Sequence, residues 1–174
     1  MTNKPLKILA INPGTRYLGI AVFVGTDLRE WAVKVIKGKS ITDCIMEYVN
    51  QYGVKIISMK KLHARRSSKA LRRIADGIER FAASLKIGLR EYSIDQLKGN
   101  LLSETRGNKR ILMEEISTRY PFLSSDLQRE TNHKNAYLVR MFEAVALGIV
   151  CFNTLDTGNK KVEIKRLQKH EKEK

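Results

Sequence analysis

The chain is short of cysteine, histidine and acid. Its 174 residues hold two cysteines and three histidines, and 18 acidic residues stand against 33 Lys and Arg. Cys44 and Cys151 each fall in an apolar, helix-spaced pattern. They read as buried thiols of a cytoplasmic protein, which excludes a disulfide framework and a cysteine zinc site. His63, His133 and His170 show no metal-ligand spacing. No hydrophobic run reaches spanning length and no signal peptide opens the chain, so no membrane partner is expected. No internal repeat is present. The shortage of acid leaves a formal charge of +15 and a pI near 10.0. With 43% hydrophobic residues the chain is apolar enough to fold, so this charge does not belong to a disordered basic tail. A folded domain with that excess points to a polyanionic partner, nucleic acid first and an anionic membrane surface second.

Residues 6–12, 17–24 and 28–36 are apolar or alternating runs joined by short turns. They predict three antiparallel strands. The period then changes. Helical spacing over 40–51 is closed by Gly53, and a short buried strand follows at 54–58. An amphipathic helix covers 67–86 with Ser67 or Ser68 as its N-cap, and a strand runs from 89 to 92. Two helices are predicted at 94–102 and 108–119, with Pro121 ending the second, and a buried one at 134–153. A meander followed by strand–helix alternation predicts an α/β fold: a mixed sheet of three antiparallel strands and then parallel strands, flanked by helices. Residues 1–157 form one domain on this reading. Residues 158–174, with seven Lys/Arg and three Glu, form a basic, flexible tail.

The first strand runs into Asn12-Pro13-Gly14-Thr15, within ILAINPGTRYLGIAV at 8–22. Such a strand end serves two purposes elsewhere: a carboxylate there holds Mg²⁺ for phosphodiester cleavage, or the glycine turn cradles a nucleotide phosphate. The order of elements and the segment I-N-P-G-T-R-Y-L-G-I-A-V resemble the RuvC-type Holliday junction resolvases of the ribonuclease H-like superfamily. The usual motif there reads I-D-P-G-T-x-x-x-G. Glu91-Tyr92-Ser93 leading into Gln96-Leu97-Lys98-Gly99 resembles that family's strand-to-helix segment. Phe142-Glu143-Ala144-Val145-Ala146-Leu147 resembles its last helix, which usually carries D-A-L-A. Together the three segments span about residues 6 to 152. The resemblance implies a homodimer that binds four-way or otherwise branched DNA in recombination and repair. It also implies cleavage with Mg²⁺ or Mn²⁺ held by several carboxylates.

The implied acids fall on position 12, on the stretch 57–60, and on positions 140 and 143. Those positions are Asn12, Ile-Ser-Met-Lys, Arg140 and Glu143, so Glu143 alone keeps a carboxylate. Asn12 and Glu143 are the candidate metal-holding and catalytic residues. Lys109 joins them as the basic residue that the family places near the scissile phosphate. Glu114, Glu115 or Glu130 are the candidates to replace the missing second acid from another element. Asn supplies one neutral carbonyl oxygen where Asp supplies a charged carboxylate, and one carboxylate is a weak anchor for Mg²⁺. Asn12 also suits a turn with no metal at all.

Residues 60–73 (KKLHARRSSKALRR) hold seven Lys/Arg and no acid. Lys60, Lys61, Arg65, Arg66, Lys69, Arg72 and Arg73 are expected to hold phosphates. Arg16 beyond the first turn, and Arg106 and Arg110 around Lys109, extend that surface. His133 reads as a polar cap, and Tyr17, Trp31 and Tyr92 as packing residues. Two functions lead: a RuvC-like junction endonuclease, and a nuclease-dead junction-binding protein on the same fold. A phosphate-loop member of the actin and hexokinase superfamily closes two lobes over its nucleotide, and 174 residues supply one. A regulatory or RNA-processing module on the same fold is the fourth reading.

Overall fold

The computed structural model describes residues 4–36, 40–103, 107–133 and 137–172. Three strands open the chain: β1 (Lys7–Asn12), β2 (Tyr17–Val24) and β3 (Asp27–Val35). β1 and β2 are buried along nearly their whole length, which is why each reads as an unbroken apolar run. The β2–β3 turn passes through Gly25 at φ +63, a backbone region that glycine enters without a Cβ clash. Two further strands, β4 (Ile56–Lys60) and β5 (Gly88–Tyr92), complete one sheet of order β3-β2-β1-β4-β5. β1 pairs antiparallel with β2 and parallel with β4, and β4 pairs parallel with β5. The predicted mixed sheet is therefore present. β4 begins two residues later than expected. Val54 is buried but unpaired, and the ladder starts where Ile56 meets Ile8. That shift makes Lys60 the last residue of a strand.

Helices cover both faces. α1 (Ile41–Tyr52) and α2 (Lys69–Ser84) pack Ile45, Tyr48, Ala75 and Ile78 on Leu9, Ile11, Ile20 and Ile57. The other face carries α3 (Ile94–Leu101), α4 (Lys109–Arg119), α5 (Ser124–His133) and α6 (Tyr137–Lys172). There Leu97, Leu112, Phe142 and Leu147 meet Ile8, Ala10, Ala21 and Phe23. The opposite sides of β1 thus feed two cores, as period-two alternation requires. Helix starts follow their caps: Ser68 accepts from Leu71 N–H, Asn108 from Ile111 N–H, and Ser93 with Gln96 forms a reciprocal capping box.

The helices also differ from the sequence-based expectation. The 3₁₀ turn at Pro121–Leu123 and α5 were not anticipated, because 124–133 (SSDLQRETNH) carries almost no apolar periodicity. α6 does not stop at 153 but continues as backbone helix to Lys172, through a run dominated by helix-forming Lys, Glu, Gln and Leu. Its Tyr137–Leu155 part also reaches spanning length and hydropathy, contrary to expectation, with Arg140 and Glu143 as its interrupting charges. Most of that part is buried against the sheet, so it is the core helix of this fold. Cys151 is buried there and Cys44 is half-buried on α1. Tyr17 packs edge-on to Tyr137 and Trp31 lies against Phe122, while Tyr92 is buried, in agreement with their packing roles.

Candidate functional site

Asn12 ends β1 and Lys60 ends β4. The parallel register pairs Ile11 with Met59, so the next residues, Asn12 and Lys60, stand side by side at one edge of the sheet. α6 crosses that edge at very close range. A Cβ on Gly19 would collide with the carbonyl of Arg140, and a Cβ on Gly14 with the Arg140 guanidinium. The two glycines of the opening motif thus make room for α6. Glu143 follows Arg140 by three residues, on the same helical face.

Glu143 is the hub of the site. The Asn12 carboxamide donates from Nδ2 to Glu143 Oε2 at 2.7 Å and, more loosely, to the Arg140 carbonyl at 3.4 Å. Lys60 Nζ donates to the same Oε2 at 2.7 Å, and Lys109 Nζ from the start of α4 reaches Oε1 at 2.9 Å. The Glu143 side chain is 4% exposed, against 24% for Lys60 and 55% for Lys109. Burial pushes the Glu143 carboxyl up, but the ammonium groups of Lys60 and Lys109 outweigh it and hold the carboxyl below its ordinary value. The group is therefore an ionised carboxylate at neutral pH.

A cleft of about 300 Å³ opens over this cluster, lined also by Lys61, His63, Arg140, Leu62, Leu71 and Val139. Four cationic side chains and one carboxylate thus line the cleft. The loop that supplies Lys61 and His63 is fixed by its own hydrogen bonds. Lys61 N–H donates to the Tyr92 carbonyl at 2.9 Å, and Arg65 N–H to His63 Nδ1 at 3.2 Å.

The donor set does not fit the two-metal centre that the resemblance implies. Among the described residues no three His, Cys, Asp or Glu side chains come together. Asn12 turns its amino group, not its oxygen, to Glu143. Oε2 already accepts from the Lys60 ammonium, and buried Oε1, which accepts no hydrogen bond from the described residues, is ion-paired with the Lys109 ammonium at 2.9 Å. A divalent ion there would displace an ammonium or lie against its charge. The candidate replacement acids lie elsewhere. Glu114 pairs with Arg110 at 3.1 Å and Glu115 with Arg119 at 3.2 Å on α4, and buried Glu130 accepts from Leu138 N–H at 3.1 Å. None of the three lines the cleft.

Of the predicted phosphate contacts, Lys60, Lys61 and Lys109 meet at the cleft. Arg65 and Arg66 are exposed in the adjoining loop, and Lys69, Arg72 and Arg73 on the surface of α2. Arg72 is tied by its guanidinium to the Ala64 carbonyl. Among the described residues Lys61, Arg65, Arg66, Lys69 and Arg73 have no acidic partner. Arg16 is exposed and lies over the Tyr17 ring, 5.8 Å from its centroid. Arg106 and the side chain of His133 fall outside the described residues. Arg140 was missed as a site residue. Its place three residues before Glu143 on a buried helix was the available signal.

No protein-family model matches the chain, and no curated protein matches it in sequence. Solved structures do match in shape. Thermus thermophilus RuvC superposes with a TM-score of 0.63 at 12% identity, covering 87% of this chain and 97% of that one. The same organism's RuvC in complex with a Holliday junction substrate gives 0.61 at 15% identity, covering 86% and 94%. The fowlpox virus resolvase in complex with Holliday junction DNA gives 0.57 at 12% identity, covering 86% and 99%. At these identities the likeness establishes the ribonuclease H-like fold of the RuvC type.

Proposed function

We propose that this protein binds branched nucleic acid at the β1–β4 edge of its sheet and does not cut it. The observation that carries the reading is a cleft whose single ionised carboxylate is paired with Lys60 and Lys109 and whose lining adds Lys61 and Arg140. A catalytic site for metal-assisted hydrolysis concentrates negative charge to hold its ions. This one concentrates positive charge, which suits phosphate oxygens directly. Lys109 is more than half exposed, so it can leave Glu143 for an incoming phosphate at little cost. Arg65, Arg66, Lys69 and Arg73 continue the basic surface along the loop and α2 and supply further contacts to the backbone. Branched DNA is the substrate class because two fold neighbours are complexes with Holliday junctions. A two-fold junction is matched by a homodimer.

The test is a gel-shift titration of a labelled four-way junction and a duplex of equal length, with chelator and then with Mg²⁺ or Mn²⁺. The reading predicts preferential retardation of the junction, weakening steeply with salt, and intact strands on a denaturing gel. Strand cleavage with either metal would overturn the non-cutting half. Failure to retard either nucleic acid at low salt would overturn the binding half.

A further inference from the structure

The site carries cations where the resemblance implies acids. Of the four places at which the resemblance implies acids, only Glu143 carries one; the stretch 57–60 ends in Lys60, position 140 is Arg140, and Asn12 offers N–H donors. These groups are also engaged. Glu143 Oε2 accepts from both Asn12 and Lys60 at 2.7 Å, and Oε1 meets Lys109 at 2.9 Å. A carboxylate buried to this degree needs a counter-charge to stay ionised, and here that charge comes from the chain.

We infer that Lys60 and Lys109 are the resident cations of this site: their ammonium groups occupy the Glu143 carboxylate in place of a divalent ion, so the cleft takes phosphate without metal. The inference deepens the proposed function and rests on it only for the phosphate. Glu143 becomes an anchor that aims two ammonium groups at the cleft, and is itself a positioning residue. Divalent cations have no seat here and act on phosphate binding only by screening. Asn12 is not the sole obstacle to a metal centre. An Asp at position 12 would lie within reach of the Lys60 ammonium, which would neutralise it before an ion could. Lys60 must also change, because its Nζ holds the oxygen that an ion would need.

The experiment is a Mn²⁺ titration of the full chain, without nucleic acid, followed by electron paramagnetic resonance of unbound Mn²⁺. The parent protein, Asn12→Asp, Asn12→Asp/Lys60→Glu and Glu143→Gln are compared, each checked for its folded circular dichroism spectrum. The parent and Asn12→Asp bind Mn²⁺ no better than Glu143→Gln. The double variant, with three carboxylates at the sheet edge, binds roughly tenfold or more tightly than the parent. Mn²⁺ binding by the parent or by Asn12→Asp that Glu143→Gln abolishes would overturn the inference, as would a folded double variant that gains no affinity. A second measurement stands even where the double variant does not fold. Inorganic phosphate in chelator raises the melting temperature of the parent, and Lys60→Met and Lys109→Met each lose most of that rise. An effect of phosphate that needs added Mn²⁺, or that survives both substitutions, would contradict the assignment. Because the Mn²⁺ titration contains no nucleic acid, its outcome is separate from any failure to bind junctions.

Discussion

Replacing Lys60 by Met keeps the aliphatic stem and deletes the ammonium. The 2.7 Å bond to Glu143 Oε2 is lost, while Lys109 at 2.9 Å and Asn12 at 2.7 Å stay. Removing one partner of a fully buried pair costs about 3–5 kcal/mol, and of an exposed pair less than about 1 kcal/mol. Lys60 is 24% exposed and its partner 4%, and a second ammonium stays behind. The expected loss is therefore about 2 kcal/mol, within the range of about 1.5–3 kcal/mol for a hydrogen bond to a charged group. For a chain of this length that is a melting temperature lower by about 4–8 °C. The pH dependence follows from the direction of the Glu143 shift. The folded carboxyl titrates below its ordinary value. Its contribution is present above the unfolded carboxyl pKa and is lost as pH falls through the lower folded one. In Lys60→Met burial is opposed by one ammonium fewer, so Glu143 takes up its proton at a higher pH than in the parent. The gap between the two proteins is then widest at neutral pH and closes toward acid, where both carry a neutral Glu143. Calorimetric melts across that range measure it. A variant melting within about 1 °C of the parent at neutral pH, or a gap that widens toward acid, would refute the reasoning.

Lys109→Ala should lower the slope of log affinity against log salt by about one unit for a junction, through one lost phosphate contact. Its stability should change by less than about 1 kcal/mol, because this ammonium is largely exposed; fluorescence anisotropy and a parallel melt separate the two effects. Gly19→Ala should destabilise by about 1–3 kcal/mol or more, since the new Cβ meets the Arg140 carbonyl and pushes α6 off β2; the urea midpoint reports it. Ser93→Ala removes the capping box of α3 and should cost about 1 kcal/mol, read as a lower melting temperature with nucleic-acid affinity unchanged.

The sheet was legible because its strands bury both faces or alternate cleanly. Ile8 to Ile11 and Leu18 to Phe23 are almost wholly enclosed, and short apolar runs bounded by turn residues fit buried strands better than helices. Gly53, Ser68 and Asn108 mark helix ends by backbone conformation and capping, which are local and therefore visible in sequence. α5 was hidden for the converse reason. It is held by neighbouring elements, with Glu130 buried and Leu127 half-buried against the core as its few anchors, and shows no apolar stripe. At the site, the fold brings together Asn12, Glu143, Lys60 and Lys109, all singled out from the sequence. The sequence pointed Lys60 at a phosphate and Glu143 at a metal, whereas in the fold they pair with each other. That pairing spans 83 positions and depends on the β1–β4 register and on how closely α6 approaches two glycines. Neither is a local property. The same contact reveals Arg140, whose guanidinium fills the space that Gly14 leaves open.

The most direct test of a cationic, metal-independent phosphate seat is junction affinity in chelator, measured by anisotropy as salt rises from about 50 to about 200 mM. With six or more phosphates engaged, affinity should fall by about a thousandfold over that range, the junction strands should stay intact, and adding Mg²⁺ should only weaken binding. Affinity that is indifferent to salt, or that appears only when Mg²⁺ is supplied, would contradict the account.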